Sequence, residues 1–293
     1  MENHKAGFVN IIGKPNAGKS TLMNALVGEK LSIITAKAQT TRHRIMGMLS
    51  GDKYQIIYSD TPGIIEPKYE LHTAMMKFVE TAFDDADIIL YIIDIKDQSF
   101  DEQLLKKLED LKKPIIVVLN KVDLEQQEVV MDNINIWKSR IAAKQVIPVS
   151  ALHQFNTETL FDVILELLPL HPPYFDKESL SDKTERFFAA EIIREKIFLN
   201  YEQEIPYASE VSVISFKENE KIIRISAEIF VERKSQKAII IGKGGASLKK
   251  VGIEARKDME KFFGKQVFLE THARVEENWR KKDKKLNKFG YNN

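Results

Sequence analysis

The chain has 293 residues, 43% of them hydrophobic and 30% charged, the composition of an ordinary globular protein long enough for two domains. It has no cysteine, which excludes disulfides, thiolate metal sites and cysteine nucleophiles and fits a reducing cytosol. A formal net charge of only +1 excludes a uniformly basic protein, so any surface for nucleic acid has to come from local clustering.

The N-terminal residues run directly into an apolar, β-prone stretch at residues 8–12, leaving no room for a signal peptide. Apolar runs such as residues 88–93 are too short to span a bilayer, and a cytoplasmic protein is expected. Next comes Gly13-Lys14-Pro15-Asn16-Ala17-Gly18-Lys19-Ser20, with the spacing of a phosphate-binding loop, and residues 21–27 continue as a helix. A glycine loop feeding a helix N-terminus turns backbone N–H groups and the helix dipole toward an anion. Lys19 would neutralise β- and γ-phosphate oxygens, the Ser20 hydroxyl would ligate Mg²⁺, and Thr21 completes the set at the helix start.

Gly28 is a helix C-cap, and residues 31–43, threonine-rich and basic, read as a loop. Strands are expected at 44–49 and 54–59 around the turn Ser50-Gly51-Asp52, the second ending in Asp60-Thr61-Pro62-Gly63. Helix 71–83, strand 88–94, helix 100–111, strand 115–119, helix 125–140, strand 146–149 and helix 156–168 follow. This alternation specifies an α/β domain, a mostly parallel sheet with helices on both faces and ligand loops at the strand C-termini.

The motifs fall on those ends. Asp60 follows an apolar strand directly, where a carboxylate can hold Mg²⁺ through water while the Gly63 N–H meets a γ-phosphate; in isolation the same residues make a surface turn. Asn120-Lys121-Val122-Asp123 closes the strand from residue 115. The Asp123 carboxylate can accept from both N1–H and N2–H of guanine, at ~1.5–3 kcal/mol for each bond to a charged group. Adenine, without that donor pair, loses on the order of 10² to 10⁴ in affinity. Asn120 would support the base and neighbouring loops, and the Lys121 stem would lie over the ring. In Ser150-Ala151-Leu152, after the sixth strand, the Ala151 N–H would donate to guanine O6.

Leu170-His171-Pro172-Pro173-Tyr174 and the polar run 176–184 have linker composition. Residues 185–200 form a helix with Phe188, Ile192, Ile193 and Ile197 near one face. A hairpin of strands 210–216 and 222–232 follows, although the alternation of Val211, Val213 and Ile214 is imperfect. Then come a short helix 235–240, Gly242-Lys243-Gly244-Gly245, a helix 246–263 and a strand 266–271. As a bare tetrapeptide Gly-Lys-Gly-Gly is an ordinary turn. Between two helices it lets a phosphodiester approach closely and offers N–H donors, and the whole order resembles a type II KH domain, an α+β RNA-binding fold. The RNA contacts would be Lys237, Gly242, Lys243, Gly244, Gly245, Lys249 and Lys250. The basic tail, Arg280, Lys281, Lys282, Lys284, Lys285 and Lys288, reads as a solvated helix end able to extend the phosphate contacts. Trp279 and Phe289 are candidates for stacking on bases, with core packing the competing reading for Trp279. His153, His171 and His272 show no ligand spacing.

In order and spacing these motifs resemble the small-GTPase superfamily and, within it, the Era family, through the phosphate loop, Gln39-Thr40-Thr41-Arg42-His43, Asp60-Thr61-Pro62-Gly63, Asn120-Lys121-Val122-Asp123 and the second domain. The resemblance covers nearly the whole chain. It implies a P-loop GTPase domain over 1–170, a linker over 171–184, a type II KH domain over 185–275 and a basic tail over 276–293. GTP, GDP and Mg²⁺ are the implied ligands, with Ser20, Thr41 and Asp60 as the metal set, Thr40 as the alternate to Thr41, and Lys19, Thr41 and Gly63 around the reacting phosphate. Binding near the 3′ end of 16S ribosomal RNA, assembly of the 30S subunit and weak inner-membrane association are implied as well.

Ras-like enzymes place a water-orienting glutamine just after the Asp-x-x-Gly motif; here that position is Ile64, so slow intrinsic hydrolysis is expected. Asn16 is a candidate K⁺ ligand near the phosphates, as in related GTPases with this asparagine, or else it stabilises the loop through its amide. Two other readings compete. One is a membrane-associated signalling GTPase that docks a basic C-terminal helix on anionic lipid, although the tail lacks an apolar face and a lipidation signal. The other is an ATP-dependent kinase or ATPase. Nucleotide state is expected to alter how the two domains lie against each other, and a monomer is expected.

Overall fold

The computed structural model describes residues 3–35, 37–97 and 99–291. The start of the N-terminal stretch, Ala36 in the polar loop, Gln98 and the end of the basic tail lie outside the described residues. The chain divides into two compact units. The first runs up to Ser32 and adds Thr41–Glu66 and Met75–Asp182; the second holds Ile33–Thr40, Pro67–Ala74 and the chain from Lys183 onward.

The first part of the chain gives β1 (Lys5–Ile12), α1 (Lys19–Val27), β2 (Ile45–Ser50), β3 (Tyr54–Asp60), α2 (Glu70–Asp85), β4 (Ile88–Asp94), α3 (Glu102–Asp110), β5 (Ile115–Asn120), α4 (Gln127–Arg140), β6 (Gln145–Pro148) and α5 (Thr157–Leu167). The six strands form one sheet in the order β2-β3-β1-β4-β5-β6. β2 is antiparallel to β3, which the tight turn between them requires, and the other pairings are parallel. β4 and β5 are apolar without alternation because both of their faces are covered. Ile89, Tyr91, Ile93, Ile115, Val117 and Leu119 join Val79 and Phe83 of α2, Leu104, Leu105 and Leu108 of α3 and Ile134 and Trp137 of α4 in one core cluster. The alternate residues Ile88, Leu90, Ile92, Ile116 and Val118 are equally buried. α1 ends as expected on Gly28, whose left-handed backbone (φ 82°) lets its N–H reach Asn24 O at 2.9 Å.

The stretch with linker composition is not a free tether. Its residues as far as Asp182 are pinned to the first unit. Gln55 of β3, fully buried, accepts from Tyr174 N (2.7 Å) and Phe175 N (2.9 Å) and donates to Phe175 O (2.9 Å). Met48 N donates to Leu180 O (2.9 Å), Ser181 Oγ to Met46 O (2.6 Å), and Met46 N to Asp182 Oδ1 (2.9 Å). β2 is an edge strand, and its unpaired backbone groups explain why a polar, proline-bearing segment settles there.

The second unit contains α6 (Glu185–Asn200), a short α7 (Ile205–Ala208), β7 (Glu210–Glu218), β8 (Ile222–Val231), α8 (Lys234–Ile241), α9 (Ala246–Phe263), β9 (Gln266–Val275) and α10 (Asp283–Lys288). Its sheet has the order β7-β8-β9, antiparallel then parallel. Strict alternation of Ile223, Ile225, Ala227, Ile229 and Val231 drives β8 into a core with Ile193 and Ile197 of α6 and Val251, Ala255 and Met259 of α9. The imperfect alternation of β7 has a structural cause: the register shifts between Val213 and Ser215, leaving Ile214 exposed.

The tail departs from a solvated helix end. Trp279 is fully buried, donates from Nε1 to Ala208 O (2.9 Å) and packs against Phe289 and Tyr291. It is therefore core, and base stacking by Trp279 is excluded. Phe289 packs on Phe230, 5.1 Å between ring centroids. Arg280 pairs with Glu232 and Lys285 with Glu276. Apolar residues scattered at Trp279, Leu286, Phe289 and Tyr291 bring the basic ones down with them.

Candidate functional site

The phosphate loop, the turn after β3 and the turn after β5 are fitted to one another. Gly18 has a φ of 98°, and a Cβ there would fall 2.1 Å from Asn120 Nδ2. A Cβ on Gly63 would fall 2.7 Å from the backbone N and Cα of Pro15, and Ile64 N donates to Gly13 O (3.1 Å). The second motif thus lies directly on the first, at a distance that only glycine permits. Asn120 joins three loops through one amide: Nδ2 donates to Ala17 O (2.8 Å), and Oδ1 accepts from Ala151 N (3.0 Å). The Ala151 N–H, expected to face guanine O6, is therefore turned to Asn120, since a buried N–H takes the nearest acceptor.

Lys19 is buried, and its Nζ donates to Gly13 O (3.1 Å) and Lys14 O (2.8 Å). Burial pulls its pKa down to about 8, against the raising influence of the Asp60 charge. A desolvated ammonium held by two loop carbonyls is poised for a phosphate, which would restore its preference for the charged form. Lys14 turns its side chain away, Nζ to Asp97 Oδ2 at 2.9 Å, so only its backbone faces the cradle. Asn16 sits in the left-handed region, φ 63°. Thr21 is half-buried on the first turn of α1.

Ser20, Thr41 and Asp60 come together although they are far apart in sequence. Ser20 Oγ donates to Asp60 Oδ2 (2.7 Å) and lies 2.9 Å from Thr41 Oγ1, which is 3.2 Å from the same Asp60 oxygen. Asp60 is fully buried; desolvation pushes its pKa up, while Ser20, Lys19 and Thr41 oppose that. Among the described residues its Oδ1 has no partner at hydrogen-bond distance, although the Ser32 hydroxyl also acts to lower its pKa. A buried carboxylate oxygen without a partner beside two hydroxyls is a hard oxygen donor set of the kind Mg²⁺ takes. Thr40, the alternate, is elsewhere: its carbonyl accepts from Arg194 Nη2 (2.5 Å).

At the base end, Asp123 stands on a single helical turn, Val122–Leu124, with its side chain 26% exposed and Oδ2 3.8 Å from His153 Nε2. Lys121 has a φ of 65° and pairs through Nζ with Asp94 Oδ2 (2.6 Å). Ser150 is buried, whereas the Leu152 side chain is exposed, leaving its backbone as its contribution. Ile64 packs against the core cluster beneath α2 and α3 and offers no polar atom to a water. Sequence reasoning passed over Asp94 and Asp97. Their signal was position, at and beyond the C-terminal end of a central parallel strand, where ligand loops gather.

In the second unit, Gly242, Lys243, Gly244 and Gly245 form the turn between α8 and α9. Gly244 (φ 60°) and Gly245 (φ 81°) are left-handed, and nothing lies within 4 Å of a Cβ built on either. Lys243, Lys249 and Lys250 are exposed and Lys237 half-buried around it; of these, Lys250 has only a loose ion pair, 3.9 Å from Glu254. The result is an open backbone turn ringed by cations, with two helix ends beside it.

A family model described as 50S ribosome-binding GTPase matches residues 8–121, and a KH-domain model matches residues 204–280. GTPase Era of Staphylococcus haemolyticus is 41% identical over 294 residues, spanning 99% of this chain and 98% of that protein. GTPase Era of Syntrophus aciditrophicus is 45% identical over 292 residues, spanning 98% and 95%. The chain belongs to the Era family of GTPases. A crystal structure of Era in complex with MgGDPNP and nucleotides 1506–1542 of 16S ribosomal RNA superposes with a TM-score of 0.94 at 38% identity, covering 98% of this chain and 99% of that one. An Aquifex aeolicus Era variant bound to GDP·AlF4⁻ matches equally well, with the same TM-score and identity. As a member of the Era family the chain is a GTP hydrolase working with guanine nucleotide and Mg²⁺, which sets aside an ATP-dependent kinase.

Proposed function

We propose that this protein binds the 3′-terminal region of 16S ribosomal RNA under the control of bound GTP or GDP and assists assembly of the 30S subunit. The observation that carries the reading is the open, lysine-ringed Gly244–Gly245 turn in a chain that aligns end to end with an Era crystallised on that RNA. The family model described by the 50S particle covers only residues 8–121, which exclude this turn, and so bears on the nucleotide module alone.

In the GTPase module, residues 1–170, backbone N–H groups of residues 13–18 and Lys19 would surround the phosphates. Ser20, Thr41 and Asp60 would hold Mg²⁺. When bound, the metal neutralises charge on the phosphate oxygens. The Gly63 N–H would face the γ-phosphate, and Asn120, Asp123 and the 150–152 turn would take the base, with Lys121 against its face. Ile64, at the position of the water-orienting glutamine of Ras-like enzymes, packs on the core and offers water no polar atom; slow hydrolysis and a timer role follow from this reading. Asn16 would offer its side-chain oxygen to K⁺.

In the RNA module, residues 185–275, Lys237, Lys243, Lys249 and Lys250 and the glycine turn would set the register of the RNA backbone, leaving unpaired bases to be read. A membrane-docking role for the C-terminal helix is not supported. Its apolar residue, Leu286, is fully buried, and among the described residues no helix is long and apolar enough to cross a membrane.

The test is a gel shift with a 3′-terminal 16S fragment, run beside liposome flotation. Changing Gly244 and Gly245 to Asp keeps residues that tolerate the left-handed region but places carboxylates where phosphates pass. RNA affinity is expected to fall at least about tenfold, and flotation to be negative. Binding to liposomes alone would overturn the reading.

A further inference from the structure

The end of β4 and the loop after it carry one carboxylate each, Asp94 and Asp97, and each holds a cation that belongs to a nucleotide motif. Asp94 Oδ2 receives Lys121 Nζ at 2.6 Å, and Asp97 Oδ2 receives Lys14 Nζ at 2.9 Å. Asp94 is itself fixed in place. Its Oδ1 accepts from Lys96 N (3.0 Å), its carbonyl accepts from Asp97 N (2.8 Å), and the next residue, Ile95, donates from N to Asn120 O (3.0 Å). In the β4–β5 register Asp94 lies beside Asn120, the residue that precedes Lys121. The carboxylate is thus built into the C-terminal end of a central strand and not carried on a free loop.

The two side chains are 31% and 25% exposed, and a pair this accessible adds little to folding stability. Its consequence is orientation. A free lysine stem samples many rotamers, and a ligand that must immobilise it binds less tightly than one that meets it already placed. With its backbone at φ 65°, Lys121 leaves the end of β5 and its Nζ reaches Asp94 at the end of β4, so its stem spans the ends of the two strands.

We propose that Asp94 is a positioning residue for guanine-nucleotide binding: it holds the Lys121 stem extended across the ends of β4 and β5, in place for the face of the base. Asp97, through Lys14, ties the same loop to the phosphate end. The proposal rests on Lys121 lying against the base, and the experiment separates the two.

GDP release is measured for the full chain and for Asp94→Asn, Lys121→Ala and the double variant. Asparagine keeps the oxygen that accepts from Lys96 N and replaces the lysine's acceptor with an NH₂ donor, so the turn survives and the ion pair does not. Asp94→Asn is expected to speed release about three- to tenfold, and Lys121→Ala at least as much. The double variant should be no faster than Lys121→Ala alone. The same factor is expected for IDP, which lacks the 2-amino group, because the stem meets the ring face and not its edge. Release at the unmodified rate in Asp94→Asn, or factors that multiply in the double variant, would overturn the proposal. Unchanged release in Lys121→Ala would instead remove the base-face reading on which it rests. Should Asp94→Asn fail to fold, Asp94→Ser, which keeps a turn acceptor without the charge, carries the same expectation.

Discussion

Single atoms separate this site from a generic phosphate loop. On the proposed reading Asp123 accepts two donors from the guanine edge, so Asp123→Asn is expected to weaken GTP binding by about 10² to 10⁴ and to admit xanthine nucleotides, whose edge suits an amide. Competition of labelled GDP by GTP and XTP checks this, and an Asp123→Asn protein that still prefers guanine contradicts it. Asn16 is judged by hydrolysis rates in K⁺ and Na⁺ buffers of equal ionic strength: faster turnover in K⁺ is expected, and equal rates would return Asn16 to a loop-stabilising role. Thr41 shows what a sequence cannot carry. Its neighbour Thr40 has the same chemistry, and only the folded loop puts the Thr41 hydroxyl 2.9 Å from Ser20 Oγ while Thr40 turns its carbonyl to Arg194.

Elements were legible where burial imposes a period. The parallel strands, α6 and β8 follow from apolar runs or alternation, and the nucleotide motifs follow from glycine spacing at strand ends. What the sequence concealed is structure held by isolated polar contacts. Residues 171–182 look like a tether because their partners, Gln55 and the edge of β2, lie far away in sequence. Gln55→Leu would leave Tyr174 N, Phe175 N and Phe175 O without their partner, a loss of about 2–4 kcal/mol. Urea unfolding measures it, and new chymotryptic cleavage after Tyr174 or Phe175 would mark release of the strap. The tail is a similar case, since four apolar residues among many lysines carry no period. Trp279→Ala should cost about 3–5 kcal/mol, read as a lowered Tm of the RNA module. An unchanged Tm would contradict the core role of Trp279.

At the level of the whole molecule, the chain crosses from one unit to the other between two adjacent threonines. The Thr41 hydroxyl stands in the cluster suited to Mg²⁺, and the Thr40 carbonyl is held by Arg194, a buried residue of α6 ion-paired with Glu191 at 2.5 Å. If GTP orders Thr41 as proposed, the change would act on a peptide whose preceding carbonyl is held by Arg194 of α6. Such coupling between two ligands is reciprocal and typically five- to 150-fold, ~1–3 kcal/mol. The most direct test is the affinity of the full chain for a 3′-terminal 16S RNA fragment with a non-hydrolysable GTP analogue, with GDP and with no nucleotide. The account predicts binding at least about fivefold tighter with the GTP analogue than with GDP; equal affinity in all three states would contradict it.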